Sequence, residues 1–384
     1  MRNSTCTFII IAGCLSADAL AVEPQSIDLA GFDFTPQLLL GERYDDNLRG
    51  DSENELSSWV TTIQPSFQLT AEGRKTGHQL KYLASREIYH SDSDASHTDH
   101  HLTLKSVLEL TSRHRLSAGL GHHRIEETTD TTLDDVNDKY TLTNAELGYT
   151  FGAATARNQI DLLSRYEQRR FQNSNGINDD QERDSLGLTS TWYHRLSPRT
   201  RTLGELRYTD HDYTTDLNNR SSTNTAALIG GTWEATAKTT GTLRVGVEQK
   251  NFDDSNRTDY TSPMWDLGLT WSPRTYSTFG ITARRAFDEG DDGASTVQDI
   301  NTLLSWDHTW SPWISTELEY QILDREYKAT ERQDDRTAFG AAVVYSYDRW
   351  ADFKLGYRRV DNDSNISDND YQRNLYLLIV ELSL

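Results

Sequence analysis

The sequence predicts an all-β fold, a transmembrane antiparallel up-and-down β-barrel, from three observations. From residue 32 onward, apolar and polar residues alternate in stretches of about ten residues, as in strands with one face on lipid and one in water. Short and long connections alternate between these stretches. The chain has 18 Tyr, 9 Trp and 11 Phe, which would supply the aromatic girdles that a barrel places at both membrane interfaces.

Composition excludes several other classes of protein. The mean hydropathy is −0.70, and no internal stretch approaches the roughly 18 to 20 apolar residues that a membrane-spanning helix needs. No Pro-, Ser- or Gly-rich linker divides the 384 residues into separate domains. The net charge of −21 disfavours binding to nucleic acid, which is itself an anion.

The first 21 residues have the pattern of a secretory signal peptide. Arg2 gives a short positive region, Cys6–Leu15 an apolar region, and Ala19–Ala21 the small residues of a cleavage site. An exported barrel of this kind is expected in the outer membrane of a Gram-negative cell. The predicted organisation is a signal peptide at 1–21, a short periplasmic N-terminal segment at 22–31 and the barrel at 32–384.

An alternative export signal lies at Cys14. The segment Ile11–Cys14 resembles a lipoprotein box, which would leave Cys14 as a lipidated N-terminus. Cys6 and Cys14 are the two cysteines of the chain, so cleavage after Ala21 would leave a mature protein without cysteine. Such a protein has no disulfide, no thiolate metal site and no covalently attached haem.

The alternation of apolar and polar residues is clear in the middle of the chain. Leu243, Val245 and Val247 fall on one face of an extended strand. Arg244 and Glu248 fall on the other face. The apolar face would contact lipid, and the polar face would line a water-filled lumen. The same pattern recurs along 265–271, 314–322 and 352–358.

The connections between the stretches are of two kinds. One kind is tight, as in Ser197–Arg199 and Ser272–Arg274. The other is long and acidic, as in Asp45–Glu55, Asn173–Arg183 and Asp361–Asp370. Bacterial barrels have short turns on the periplasmic side and longer loops on the outer side. We therefore expect short periplasmic turns and long acidic extracellular loops.

Counting the alternating stretches predicts about 18 strands, with about 16 as the alternative. An even number of strands places both termini in the periplasm. The strands are expected to begin near Phe34, Ser57, His78, Leu102, Leu116, Leu142, Gln159, Ser185, Thr202, Thr225, Thr240, Trp265, Thr278, Asn301, Ile314, Thr337, Asp352 and Asn374. The last strand resembles the C-terminal signal read by the barrel-assembly machinery, although Leu384 stands where Phe is usual. Its lipid-facing residues are expected to be Tyr376, Leu378, Val380, Leu382 and Leu384.

A barrel of about 16 to 18 strands is wide enough to hold an aqueous channel. Its inward positions carry both signs of charge, which favours a neutral or polar solute over strong ion selectivity. These residues are either solvated wall residues, as every such barrel needs, or in part a track for a substrate. The candidate lumen-facing residues are Arg165, Arg207, Arg244, Arg284, Lys354, Arg358, Glu109, Glu146, Glu205, Asp266, Glu317 and Asp352.

Aromatic residues near the ends of the apolar stretches are expected to form girdles at the level of the lipid headgroups. An aromatic slide for sugars inside the lumen is the alternative role for some of the tryptophans. The girdle candidates are Trp192, Trp233, Trp265, Trp271, Tyr208, Tyr320 and Tyr357.

The sequence offers no recognised catalytic or metal-binding motif. The stretch Asp361–Asp370 begins like an EF-hand loop, but Ile366 replaces the Gly of the sharp turn and Gln372 replaces the bidentate Glu. Histidines near Asp99 lack a recognised metal-ligand spacing, and no G-x-S-x-G motif is present. We therefore predict no metal, no cofactor and no enzymatic activity. The acidic loops are expected to lie beside lipopolysaccharide, with divalent ions bridging their carboxylates to lipid phosphates.

The N-terminal third of the chain resembles a known family. Pro36–Asn47 is followed by Ser58–Trp59, Gln64–Phe67, a strand that contains Tyr82, and Asp99–Leu102. This order resembles the putative beta-barrel porin 2 family, which includes barrels encoded in exopolysaccharide clusters. The resemblance extends over most of the mature chain. It implies an outer-membrane barrel without transferable catalytic residues and, for some members, a role in moving an exopolysaccharide to the surface.

Three functional hypotheses follow. The first is a channel that takes part in exopolysaccharide export, and the second is a general diffusion porin for small polar solutes. The third is a structural or adhesive surface barrel with a closed lumen. The expected partners are outer-membrane lipid and lipopolysaccharide, the barrel-assembly machinery and, for the first hypothesis, periplasmic polysaccharide-export components.

Overall fold

The computed structural model describes residues 26–128, 137–153, 155–216, 219–236, 238–289 and 294–383, and these form β-strands and the connections between them. The strands are β1 Ile27–Leu29, β2 Phe32–Asp45, β3 Ser58–Glu72, β4 Thr76–Tyr89, β5 His97–Thr111, β6 His114–Glu127, β7 Asp138–Phe151, β8 Asn158–Phe171, β9 Arg183–Ser197, β10 Thr200–Tyr213, β11 Ser222–Thr236, β12 Thr239–Phe252, β13 Tyr260–Arg274, β14 Ser277–Glu289, β15 Thr296–Ser311, β16 Ile314–Lys328, β17 Gln333–Asp348, β18 Ala351–Ser364 and β19 Tyr371–Ser383. Single 3-10 turns lie at Ser93–Ala95, Ser174–Gly176, Asp179–Gln181 and Ser367–Asn369. Within the described residues, no helix has the length and apolarity that a membrane crossing demands.

The strands form one closed antiparallel barrel. Each strand from β2 onward pairs with its neighbours in the chain, and β19 returns to pair with β2. Of the 19 strands in the sheet, β1 lies outside this ring, because it pairs with β2 alone. The ring confirms the predicted antiparallel up-and-down barrel of 18 strands. It excludes the alternative of about 16.

The connections sort onto two rims, which we call the short-turn rim and the long-loop rim. The predicted alternation of short and long connections is therefore confirmed. The short-turn rim carries 73–75, 112–113, 198–199, 275–276, 312–313 and 349–350, and the strand ends after β7 and β11 lie at the same rim. The long-loop rim carries 46–57, 90–96, 172–182, 253–259, 329–332 and 365–370, and the strand ends after β6, β10 and β14 lie there too.

The alternation along each strand separates two faces of the wall. On β12, Leu243, Val245 and Val247 belong to one face, and all three are exposed on the protein surface. Arg244 belongs to the opposite face and pairs across the ladder with Asp266 of β13. A run of exposed apolar side chains around a closed wall is what contact with hydrocarbon requires. We call this the outer face and the opposite one the inner face.

The apolar band of the outer face stops short of the long-loop rim. On β18 it comprises Phe353, Leu355 and Tyr357, and the next outward residues are Arg359 and Asp361. The ring strands have between 13 residues, as in β14, and 16 residues, as in β15. Crossing the hydrocarbon takes only about 9 to 11 residues. The strands therefore extend beyond the lipid on the long-loop side, where both faces are polar.

The seam between the last strand and the first ring strand closes the wall. Leu375–Ser383 of β19 pairs in register with Gln37–Asp45 of β2. This pairing satisfies the main-chain groups of two strands that would otherwise be open edges. An open edge inside hydrocarbon would cost several kcal/mol, of the order of 2–7, for each unpaired polar group.

Side chains reinforce the seam at the long-loop end. The guanidinium of Arg373 contacts Asp45, with its Nε donating to Oδ1 at 2.9 Å. Asp46 accepts from the backbone N–H of Asn374 at 2.6 Å and from its side-chain amide at 2.7 Å. Asn47 donates to the carbonyl oxygen of Gln372 at 3.0 Å. Consecutive residues of the segment that carries the family resemblance thus tie the start of the barrel to its end.

The N-terminal end adds a feature that the sequence analysis did not predict. Ile27–Leu29, inside the segment 22–31, pairs with the start of β2. Ala30 and Gly31 connect the two strands with φ values of 56° and 88°, a conformation that Gly adopts without strain. The predicted signal peptide with Cys6 and Cys14 lies outside the described residues, as does Leu384. The signal peptide therefore stays a prediction.

Val245→Arg tests which residues face lipid. The substitution would place a charge on the outer face near the middle of the hydrocarbon, at a cost of about 2–4 kcal/mol. We expect little folded barrel from Val245→Arg and normal assembly of the neighbouring Arg244→Ala, because Arg244 is on the inner face. The measurement is the fraction of protein with heat-modifiable gel mobility in outer-membrane preparations. Equal damage from both substitutions would show that the faces are misassigned.

Arg373→Ala tests the side-chain closure of the seam. Asp45 is 0% exposed, and a buried carboxylate that loses its partner destabilises a fold by roughly 3–5 kcal/mol. The matched control is Arg359→Ala on the neighbouring strand, whose partner Asp361 is 3.3 Å away and solvent-accessible, so its loss should cost about 0–1 kcal/mol. Urea unfolding of the refolded barrel measures both. Similar losses in the two variants would mean that the Arg373 ion pair does not stabilise the seam.

Candidate functional site: the barrel lumen

Contacts that skip over strands identify the inner face as the lining of the lumen. Arg207 on β10 lies 3.0 Å from Asp266 on β13, although two strands separate them. Tyr213 on β10 donates to Glu289 on β14 at 2.7 Å. Side chains on the convex outside of a barrel diverge, whereas those on the concave inside converge. Such contacts are therefore expected only across the inside of the wall.

The cross-strand register assigns the twelve candidate lumen residues to faces. Arg244, Asp266 and Arg284 are successive partners on β12, β13 and β14 and so share the inner face. Glu146 and Arg165 are partners on β7 and β8 and form an ion pair of 2.8 Å. Tracing cross-strand partners around the whole barrel places all twelve candidates on the inner face. They are Arg165, Arg207, Arg244, Arg284, Lys354, Arg358, Glu109, Glu146, Glu205, Asp266, Glu317 and Asp352.

Four of these residues form a compact cluster of charges on the inner face, about midway between the two rims. Arg207 lies 2.5 Å from Glu205 and 3.0 Å from Asp266. Arg244 lies 3.1 Å from Glu205 and 2.8 Å from Asp266. Each carboxylate is shared by both guanidinium groups, and the set has no net charge. Charge-assisted hydrogen bonds of this kind fix the four side chains relative to one another.

A more acidic group lies on the inner face near the short-turn rim, on β15 to β19. Lys354 donates to Glu317 at 2.5 Å, and Asp307 of β15 is the cross-strand partner of Glu317. Asp352 is 1% exposed, and neither of its carboxylate oxygens has a hydrogen-bond partner in the described parts of the chain. Glu381 is the cross-strand partner of Asp352. This stretch of wall therefore carries more carboxylates than cations.

Two arginines lie on the opposite wall near the same rim. Arg195 of β9 and Arg201 of β10 are cross-strand partners near the short-turn rim. β9 and β18 are nine strands apart in the ring, so they face each other across the lumen. Cations on one wall and carboxylates on the other create an electric field across the lumen near this mouth.

The remaining candidate residues form ion pairs with longer distances between nitrogen and oxygen. Arg284 and Asp288 are 4.0 Å apart on β14. Glu109 and Arg115 are 3.8 Å apart, and both side chains are exposed. Arg358 lies 3.8 Å from a carboxylate oxygen of Glu319. The Arg284–Asp288 and Glu109–Arg115 pairs are accessible to solvent, whereas the side chains of Arg358 and Glu319 are only 14% and 18% exposed.

The first long loop, 46–57, turns into the lumen. Leu48 is fully buried against Val60 and Tyr89 of the inner face and against Ala95. Because β3 and β4 provide Val60 and Tyr89, Leu48 must lie on the lumen side of these strands. The loop therefore narrows the mouth of the barrel at the long-loop rim.

Arg49 anchors the loop far from its own strands. One of its nitrogens is 3.0 Å from a carboxylate oxygen of Asp92, in the loop that follows β4. Another donates to the side-chain oxygen of Asn137 at 3.2 Å, in the loop that follows β6. The loop after β2 thus reaches across to two further loops and is held there by a buried cation.

Inward-facing aromatic residues surround this mouth. Arginines cover several of them, with Arg169 4.7 Å from the Tyr140 ring and Arg332 4.3 Å from the Tyr327 ring. Covered and buried rings stabilise the wall and its loops. The set comprises Tyr89, Tyr140, Phe171, Tyr213, Phe252, Tyr260, Tyr327 and Tyr371.

The seven girdle candidates belong to the outer face. Trp192, Trp233 and Trp271 lie toward the short-turn rim. The others, Tyr208, Trp265, Tyr320 and Tyr357, lie nearer the level at which the apolar band gives way to polar residues. The alternative of an aromatic slide does not fit these tryptophans, because their side chains point away from the lumen.

The acidic stretch 361–370 does not form a metal-binding loop in this fold. Asp361 is part of β18 and pairs with Arg359 at 3.3 Å. Only 365–370 form a loop. Across the ranges that the structure describes, no group of three or more His, Cys, Asp or Glu residues is placed to hold a metal ion.

Sequence reasoning missed Arg49, the inward turn of its loop and the inward aromatic residues. The aromatic residues carry a faint signal, since many stand at the first or last position of a strand, next to a long loop. Arg49 carries none, because its partners lie 43 and 88 positions further along the chain.

Solved barrels resemble this one in fold. OpdK of Pseudomonas aeruginosa, solved with vanillate, is 10% identical with a TM-score of 0.52, over 92% of this chain and 99% of OpdK. The apoprotein form of the FrpB iron transporter of Neisseria meningitidis is 13% identical with a TM-score of 0.52, over 88% of this chain. This chain spans 62% of the length of that transporter. At such identities the similarity shows the fold alone.

A family assignment comes from the sequence. No curated protein matches the chain. The family model described as "Putative beta-barrel porin 2" matches residues 21–384. The chain therefore belongs to the Putative beta-barrel porin 2 family and is an outer-membrane β-barrel of the porin-like channel type.

Proposed function

We propose that this channel takes part in the export of an exopolysaccharide to the cell surface. The resemblance to barrels encoded in exopolysaccharide clusters supports the proposal, and an 18-stranded ring is wide enough to enclose water. The short-turn rim would face the periplasm and receive the polymer, and the long-loop rim would release it. This role needs no catalytic group.

The observation that carries the proposal is the mutual pairing of charges on the inner face. The cluster of Glu205, Arg207, Arg244 and Asp266 has no net charge and still presents hydrogen-bond donors and acceptors. A neutral, hydroxyl-rich chain exchanges hydrogen bonds with such a wall without being trapped by charge. A wall of one sign would instead bind a charged solute and slow its passage.

The walls near the short-turn rim would act on the polymer as it enters. Arg195 and Arg201 stand opposite the carboxylates of Asp352 and Glu381. A field across the channel orients dipolar groups such as hydroxyls. We infer that the substrate class is a neutral or weakly charged polysaccharide.

A second candidate, diffusion of small polar solutes, is favoured by loop 46–57. This loop narrows the outer mouth through Leu48, and Arg49 holds it in place. A fixed constriction suits small solutes better than a polymer. If the channel exports a polymer, the loop must move aside during passage.

The partners follow from this role and are proposals in the same sense. The barrel would be inserted by the barrel-assembly machinery and would meet periplasmic polysaccharide-export components at its short-turn rim. Outer-membrane lipid and lipopolysaccharide would surround the wall. The acidic long loops would lie above the lipid, where divalent ions bridge carboxylates to phosphates.

Plugging the lumen tests the proposal. Thr189 is on the inner face of β9, because its partner is Arg207. In Thr189→Cys, reaction with a bulky polyethylene-glycol maleimide should abolish most of the planar-bilayer conductance and most of the polymer secretion that the variant restores to a deletion strain. The matched control is Ser255→Cys in the loop 253–259, which is exposed and should react without either effect.

The outcomes separate the hypotheses. Normal polymer secretion by the deletion strain, together with conductance that plugging blocks, would refute export and favour the diffusion porin. An unmodified barrel without stable current would favour a surface barrel with a closed lumen. Loss of secretion with both labelled variants would mean that modification disturbs the cell rather than the lumen.

A further inference from the structure

The outer face carries a group of basic side chains in one sector of the wall, near the long-loop rim. On β4 to β8 the outward residues include Arg86, His100, Arg124, Lys139 and Arg170, and we call this set the outer-wall basic patch. The register brings them side by side. His100 is the cross-strand partner of Arg124, and Thr141 joins Arg124 to Arg170.

The patch begins where the apolar band ends. Leu102 of β5 is an exposed apolar residue of the outer face, and His100 is the next outward residue toward the rim. On β8 the exposed ring of Tyr166 is followed, toward the long-loop rim, by the outer-face residues Gln168 and then Arg170. Side chains at this height meet lipid headgroups, because hydrocarbon lies directly below them.

The patch keeps free donor capacity. Arg124 is exposed, and in the part of the chain that the structure describes its guanidinium has no hydrogen bond or ion pair. Arg86 donates to the hydroxyl of Thr98 at 3.3 Å and is exposed as well. Arg170 is paired with Asp184 at 2.6 Å and Lys139 with Glu126 at 3.0 Å. The cations therefore outnumber the carboxylates in this sector.

Elsewhere on the circumference the same level of the outer face is acidic. Asp324 of β16 is the cross-strand partner of Asp335 of β17, and Asp335 is in turn the partner of Asp363 of β18. The whole chain has a net charge of −21, so a cationic sector is not an average property of its surface. A localised reversal of charge indicates an anionic partner at this position.

We propose that the outer-wall basic patch binds the phosphate groups of the phosphorylated glycolipid in the outer leaflet. Guanidinium groups bind phosphate through paired, charge-assisted hydrogen bonds. Phosphates of a lipid headgroup lie at the boundary between hydrocarbon and water, at the height of Arg86 and Arg124. This contact is direct, unlike the metal-bridged contact expected for the acidic loops. It rests on the position of the barrel in the outer membrane and not on polysaccharide export.

The experiment compares lipid binding by matched variants. The mature protein, refolded in detergent micelles and checked by heat-modifiable mobility, is titrated with lipid A and with dephosphorylated lipid A. Binding is followed by native mass spectrometry. Arg86→Ser with Arg124→Ser should weaken lipid A binding by about tenfold or more. The control, Lys328→Ser with Arg359→Ser, removes two outward cations from the acidic sector and should leave binding unchanged.

Three further results complete the test. Arg124→Ser alone, which breaks no contact of the fold, should weaken binding severalfold even if the double variant refolds poorly. Dephosphorylated lipid A should bind the unmodified protein no better than it binds the double variant. The proposal is overturned if both lipids bind equally, if the control loses as much affinity, or if an acidic peptide binds the patch and lipid A does not.

Discussion

The closed ring of main-chain hydrogen bonds is the constraint on which the rest of this structure depends. Hydrocarbon offers no partner for an unpaired N–H or C=O group, so a sheet in a membrane must have no free edge. The pairing of β19 with β2 meets that requirement. Asp45, Asp46 and Asn47 add side-chain ties at the same seam. The segment by which the chain resembles its family is therefore also the segment that closes the barrel.

Once the wall is closed, the period of two along each strand determines what each side chain meets. The sequence alone was enough to assign Val245 and Arg244 to opposite faces and to place short and long connections on different rims. Except for β3, the strands that run from the long-loop rim begin earlier than predicted, as with Tyr260 instead of Trp265 and Thr296 instead of Asn301. These first residues lie beyond the lipid, where both faces are wet and no apolar alternation marks the strand.

The features that escaped sequence analysis depend on contacts between distant parts of the chain. Leu48 looks like an ordinary loop residue, and only the fold shows it packed against Val60 and Tyr89. Inward and outward aromatic residues look alike in a sequence, yet the inward ones hold the outer mouth and the outward ones meet lipid. Arg207 and Asp266 were expected on the inner face, but their sharing with Arg244 and Glu205 required the curvature of the wall. The mutual neutralisation of these four charges is thus a property of the closed ring.

The most direct test of this account is a disulfide across the seam in intact outer membranes. Gly41 and Ile379 are partners on the inner face of β2 and β19, whereas Val380 faces outward. Gly41→Cys with Ile379→Cys should oxidise to a cross-linked chain with altered gel mobility, and Gly41→Cys with Val380→Cys should remain reduced. Equal cross-linking of the two pairs, or recovery of the protein in the soluble periplasm, would contradict a closed barrel with this register.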